Sequence, residues 1–90
     1  MSTVFIPQVL RPAAGGARSL ELDGGTVGEL VRALIERYPS LGGQLLGPDG
    51  ELNRYVNVYL DGQDVRYLQG LETPVEPRGQ VRLLPAMAGG

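Results

Sequence analysis

Cysteine, histidine and lysine are absent from this chain, and these absences exclude several kinds of chemistry. Without cysteine there is no disulfide, no thiolate nucleophile and no side chain that could carry a persulfide. Without histidine the chain lacks the usual metal ligand and the usual base near neutral pH. Lysine is missing as well, since all 8 basic residues are arginine. The chain is therefore a poor candidate for an enzyme that acts alone.

Strong charge and long apolar runs are also absent. The 90 residues include 10 acidic and 8 basic side chains, and the net charge of −2 argues against a nucleic-acid partner. No apolar run is long enough to cross a bilayer, and the N-terminus has no basic start followed by an apolar segment. The length fits one small domain. We therefore expect a cytoplasmic protein with no membrane or nucleic-acid partner.

The clearest local pattern is an amphipathic helix that begins after Thr26. Thr26 is a natural N-cap, and Glu29 three residues later completes a capping box. Apolar residues then recur at spacings of three and four, until Pro39 disfavours helical geometry at Tyr38. The apolar stripe consists of Val27, Leu30, Val31, Leu34, Ile35 and Tyr38.

Alternating apolar residues predict strands on both sides of this helix. Asp61-Gly62 is a pair that favours a two-residue hairpin turn. Asp61 and Asp64 flank that turn, and turn chemistry explains them better than a bound cation, so we predict no metal site. The predicted strands span residues 3–10, 18–23, 54–60, 64–68 and 80–84.

One helix covers only one face of such a sheet, which leaves the other face to solvent or to a partner. By alternation that second face carries two tyrosines, a phenylalanine, a leucine and an arginine, a composition typical of a binding surface. Scattered surface aromatics are the alternative interpretation. The predicted partner contacts on this face are Phe5, Tyr55, Tyr59, Arg82 and Leu84; Asn57 is predicted to lie on the same face.

The chain ends on a glycine pair, beyond a strand that Pro85 stops. A tail with no Cβ at its last two positions can thread a narrow channel, and it leaves the terminal carbonyl unhindered. From Pro85 to Gly90 the extended chain reaches roughly 20 Å. We therefore expect a domain over residues 1–85 and a tail over residues 86–90, with the Gly90 carboxylate as the reactive group. The other predicted tail contacts with a partner are Met87, Ala88 and Gly89.

The order of elements resembles the β-grasp fold of ubiquitin, and the sequence resembles the bacterial sulfur-carrier family known as MoaD and ThiS. The likeness is greatest to its CysO subgroup, which serves cysteine synthesis. It implies an α+β, ubiquitin-like β-grasp, with a mixed four- to five-stranded sheet on one main helix and a flexible tail. The residues that carry the likeness include 54–59 (RYVNVY), 64–67 (DVRY), 83–86 (LLPA) and 88–90 (AGG), with 10–12 (LRP) early in the chain.

This resemblance implies a sulfur carrier that is a covalent cosubstrate rather than an enzyme. An E1-like adenylating enzyme would use ATP and Mg²⁺ to activate Gly90, and sulfur from a separate donor would then replace AMP to give a thiocarboxylate. The thiocarboxylate would pass its sulfur to a biosynthetic client enzyme. In the CysO-like route a metal-dependent peptidase then releases cysteine. No cofactor is expected on the carrier itself.

Two other functions remain open at this point. A ubiquitin-like protein can be conjugated through Gly90 to lysines of other proteins; the lack of lysine prevents side-chain self-conjugation but not this reaction. A passive binding module, whose glycine tail has no role, would be unchanged by deletion of Gly90.

Overall fold

Five strands form one mixed sheet within residues 1–85, the part of the chain that the computed structural model describes. They are β1 (Ser2–Phe5), β2 (Ser19–Leu22), β3 (Val56–Leu60), β4 (Gln63–Asp64) and β5 (Gln80–Pro85). Their order across the sheet is β2-β1-β5-β3-β4. The central pair, β1 and β5, is parallel, and the other neighbours are antiparallel. The β-grasp fold expected from the sequence is confirmed.

The main helix, α1 (Val27–Arg37), begins as the capping pattern predicts. The backbone N–H of Glu29 donates to the Thr26 hydroxyl oxygen over 3.2 Å, which satisfies one of the N–H groups that have no partner inside the helix. The Glu29 carboxylate in turn accepts from the N–H of Gly25 over 3.0 Å, one residue before the N-cap. The helix ends before Tyr38, whose φ of −133° and ψ of 83° are not helical.

The apolar stripe of α1 and the inward side chains of the strands form one core. Leu30 and Leu34 of the helix are buried in the same cluster as Val58 and Leu83 of the sheet. Burial of each such side chain contributes about 1.5–3 kcal/mol, so this contact decides which face of the sheet the helix covers. The opposite face carries the alternate residues of the same strands.

Short helices fill the connections between these elements. A 3-10 turn at Pro39–Leu41 leads into α2 (Gly42–Leu45), and Leu41 and Leu45 are both buried in the core. No helix in the described part of the chain is long and apolar enough to cross a membrane. The remaining 3-10 helices in residues 1–85 are Gln8–Ala14, Val65–Tyr67 and Gly70–Glu72.

Two predicted strands are wrong in their second halves. The strand predicted over residues 3–10 ends at Phe5. Pro7 has no N–H to donate to a neighbouring strand, and its carbonyl accepts from the N–H of Leu10 over 3.0 Å, which begins a 3-10 helix. The strand predicted over residues 64–68 stops at Asp64, because the Asp64 carboxylate accepts from the N–H of Arg66 over 2.9 Å and caps another 3-10 helix.

The turn between β3 and β4 is the predicted Asp61-Gly62 pair. Both residues have positive φ, 49° and 90°, as this hairpin turn requires. The Asp61 carboxylate also accepts from the N–H of Gln80 in β5 over 2.9 Å, so it serves the backbone, in keeping with turn chemistry. Within residues 1–85, no three or more Asp or Glu side chains are grouped closely enough to hold a metal ion.

Candidate functional site

The uncovered face of the sheet, called here the open face, brings predicted contact residues onto neighbouring strands. Phe5 in β1 pairs with Arg82 in β5, and Arg82 pairs with Tyr59 in β3. Because paired residues point to the same side of a sheet, these three side chains form one row across its middle. The residues before and after Arg82 are buried on the helix side, as the alternation requires.

Arg82 lies at the centre of this row and carries a charge that no carboxylate of residues 1–85 pairs. Its guanidinium carbon is 4.2 Å from the centroid of the Phe5 ring, a cation–π contact. Such a contact is worth about 0.5–1 kcal/mol at an exposed site. The ion pair found in residues 1–85 joins the Met1 ammonium to Asp23 instead, over 4.0 Å. Phe5 therefore positions the Arg82 cation on the open face.

Leu84 and Asn57 form a second pair on the open face, two residues nearer the end of β5 than Arg82. Leu84 is 41% exposed, so it offers apolar surface beside the cation. The Asn57 side-chain oxygen accepts from the Arg66 guanidinium, which also donates to the backbone carbonyls of Asn53 over 3.1 Å and Val56 over 2.7 Å. Arg66 thereby fastens the start of β3 to the segment that follows β4.

The importance of Arg66 is not apparent from the local sequence pattern. Its hydrogen-bond partners lie 9 to 13 residues earlier in the chain, a separation that no helix or strand period indicates. The available signal was its place in the segment 64–67 that resembles the sulfur-carrier family. That signal marks the segment but does not say what the side chain holds.

Tyr55 lies just outside the strand in which the sequence places it. Strand β3 begins at Val56, and Tyr55 precedes it in a turn in which its N–H donates to the Asn53 side-chain oxygen over 3.0 Å. The Tyr55 side chain is 67% exposed. It lines a groove of about 280 Å³ at the end of β5. The other residues that line this groove include Val9, Leu10, Gln44, Val56 and Pro85.

The end of β5 lies close to both the groove and the open face. Pro85 is the last residue of β5 and the last described residue, and it pairs with Val56, the first residue of β3, beside the groove. Arg82 is three residues before Pro85 on the same strand, about 10 Å away. A partner that covers the open face would therefore lie within about 10 Å of the last described residue. The predicted tail residues Met87, Ala88, Gly89 and Gly90 are outside the described residues.

Comparison with known proteins gives a family and near full-length relatives. The model of the ThiS family matches residues 4–90, which includes the terminal glycine pair. The sulfur carrier protein CysO of Mycobacterium tuberculosis is 40% identical over 90 residues, covering 98% of this chain and 97% of that protein.

A solved structure and an archaeal relative extend the comparison. A chain in the crystal structure of the Amycolatopsis orientalis BexX/CysO complex superposes with a TM-score of 0.91, at 38% identity and complete coverage of both chains. Small archaeal modifier protein 3 of Haloferax volcanii is 38% identical over 68 residues, covering 76% of this chain and 73% of that protein. The names of these relatives therefore include both a sulfur carrier and a modifier.

Proposed function

This chain belongs to the ThiS family, and on that premise we propose that it is a sulfur carrier whose Gly90 carboxylate is converted to a thiocarboxylate. The observation that carries the proposal is the near full-length similarity to a protein named as a sulfur carrier. The family match extends through the final glycine pair, where the chemistry requires it.

The chemistry needs two steps at Gly90. An E1-like activating enzyme transfers AMP from ATP to the carboxylate, with Mg²⁺ on its nucleotide, and pyrophosphate leaves. Sulfur at the oxidation level of sulfide then attacks the acyl carbon; the C–S bond forms as the bond to AMP breaks. A separate donor supplies this sulfur, because the chain contains no cysteine. The product is a thiocarboxylate nucleophile, which a client enzyme in the synthesis of cysteine or another sulfur-containing metabolite consumes.

The domain supplies recognition rather than catalysis in this scheme. The five residues after Pro85 span at most about 17 Å, so the activating enzyme must hold the domain close to its nucleotide site. We infer that it does so through the open face, with a carboxylate opposite Arg82 and an apolar side chain against Leu84. The relative crystallised as a BexX/CysO complex supports a partner that is itself a protein. Phe5, Tyr55 and Tyr59 would complete this contact, and Met87, Ala88 and Gly89 would line the channel.

The direct test is the intact mass of the chain after incubation with ATP, Mg²⁺, sulfide and an extract of its host. A mass gain equal to exchange of one oxygen for one sulfur is the expected result, and treatment with an alkylating reagent should then add the mass of one alkyl group. A chain that lacks Gly90 is the matched control and should stay unmodified. An unmodified full-length chain under these conditions would overturn the proposal. Modification of both chains would place the sulfur somewhere other than Gly90.

A second candidate function, conjugation to lysines of other proteins, is favoured by the similarity to a small archaeal modifier protein. The sequence makes the two functions separable by mass spectrometry. Trypsin cuts after Arg82, the last basic residue, so a conjugated lysine would retain residues 83–90 as a branch. Such branches in the host extract, absent with the chain that lacks Gly90, would support the modifier function. A thiocarboxylate without branched peptides would support the carrier alone.

A further inference from the structure

The groove at the end of β5 is lined by apolar side chains that the domain leaves uncovered. Val9, in the 3-10 helix Gln8–Ala14, is 65% exposed, and Tyr55 across the groove is 67% exposed. Leu10 and Val56 are buried and form its floor. Pro85 is the last described residue and lines the same groove. The groove is therefore open to solvent at the point where the tail starts.

The sequence after Pro85 offers one candidate occupant of this groove. Along β5, Val81 and Leu83 point inward to the core, and Pro85 is the next residue on that side. Met87 is the next residue of the same parity in the sequence, and an extended chain, with its period of two, would direct it to that side. Met87 is two residues from Pro85, a reach of at most about 7 Å. It is also the single large apolar side chain among residues 86–90.

The strands of residues 1–85 leave space beside the groove for the residues that follow Pro85. Pairing of β5 with β1 ends at Arg82, and pairing with β3 ends at Pro85 and Val56. Beyond Pro85 no strand of residues 1–85 competes for the place beside the groove. A methionine suits such a site, because its unbranched side chain fills irregular apolar surfaces and its sulfur makes favourable contacts with aromatic rings such as that of Tyr55.

We propose that this groove is a docking site for the chain's own Met87, so that the tail rests against the domain until a partner takes it. The contact itself does not depend on the proposed sulfur chemistry, but its consequence for activation does. Only chains with an undocked tail would be available to an enzyme that acts on Gly90. The apparent affinity of that enzyme therefore falls in proportion to the undocked fraction. We expect a loss of affinity of about three- to tenfold relative to a chain with a blocked groove.

The test uses the full chain labelled with ¹³C at the methionine methyl groups. The two methionines, Met1 and Met87, give separate signals, which Met87→Leu assigns. The expected result is a set of nuclear Overhauser contacts from the Met87 methyl group to the Val9 methyl groups and the Tyr55 ring. Val9→Asp should abolish them. Leu68→Asp is the matched control, because Leu68 is 42% exposed and does not line the groove, and it should leave them unchanged.

Three outcomes would overturn the docking site. They are a Met87 methyl signal without contacts to the domain, contacts that survive Val9→Asp, and contacts that grow with protein concentration, which would indicate a second copy as the occupant. Release of Gly90 by a carboxypeptidase gives an independent measurement: the rate should rise several-fold in Val9→Asp and stay unchanged in Leu68→Asp. Equal rates in all three chains would also contradict the proposal. Neither experiment requires ATP or sulfide, so failure of the sulfur-carrier proposal would not imitate failure here.

Discussion

Replacement of Arg66 by methionine should destabilise the domain by about 2 kcal/mol. The guanidinium makes three side-chain hydrogen bonds, to Asn57 and to the carbonyls of Asn53 and Val56. Each ordinary intramolecular hydrogen bond contributes about 0.5–1.5 kcal/mol net. The bond to Val56 is partly buried and the other two are exposed, so we assign about 1 kcal/mol to the first and about 0.5 kcal/mol to each of the others. Methionine keeps most of the aliphatic stem, so the loss reports on the hydrogen bonds.

Urea unfolding followed by circular dichroism measures this loss, since the chain has no tryptophan to serve as a fluorescent probe. In thermal unfolding the same loss should lower the midpoint by about 8–15 °C for a domain of this size. Arg66→Lys should recover less than half of it, because an ammonium group lacks the fork that reaches separate acceptors. Arg32→Met is the matched control: Arg32 is exposed on α1, and the change should stay within about 0.5 kcal/mol.

A stability of Arg66→Met within about 0.5 kcal/mol of the unsubstituted chain would refute this reasoning, because exposed hydrogen bonds would then add nothing net. Full recovery by lysine would refute the geometric part alone. It would mean that charge near the carbonyls of Asn53 and Val56, rather than the fork, stabilises the start of β3.

Three further predictions concern the helix and the open face. Thr26→Ala should cost about 1 kcal/mol in urea unfolding, through loss of the N-cap bond; an unchanged midpoint would contradict the cap. Gly28→Ala should destabilise by about 1–3 kcal/mol, although alanine favours helices, because the added methyl would lie 3.0 Å from the Leu71 carbonyl oxygen; stabilisation would contradict this. Arg82→Glu should weaken binding of an activating enzyme at least tenfold at low salt and less at high salt. Its stability should be close to that of Phe5→Leu, which removes the same cation–π contact. A loss of binding that does not depend on salt would argue against charge pairing.

Local features of the sequence predicted α1 and the hairpin turn correctly. The capping pair Thr26 and Glu29 lies three residues apart, and Asp61-Gly62 needs only its own two backbone conformations. Interactions of this range depend on neighbouring residues, so a pattern in the sequence contains the information. Alternation, which is also a local pattern, placed Phe5 on the open face, and its neighbours Val4 and Ile6 on the other side are each 2% exposed.

Predictions that depended on competition between local and distant partners were less accurate. Residues 6–10 have the composition of a strand, but Pro7 cannot donate to a ladder and the chain turns into a 3-10 helix. Residues 65–68 alternate as well, yet the Asp64 carboxylate captures the N–H of Arg66 first. In both cases a single hydrogen-bonding group outweighs the propensity of the segment.

The sequence by itself determined which residue the proposed sulfur chemistry uses, because the glycine pair and the absence of cysteine are properties of the chain and not of its folding. Only the tertiary structure decided what surrounds that end. It stacks Arg82 on Phe5, ties Arg66 to the start of β3, and opens a groove between Val9 and Tyr55 beside Pro85. These contacts join residues far apart in sequence, and their positions follow from strand order and register, which the whole core fixes together.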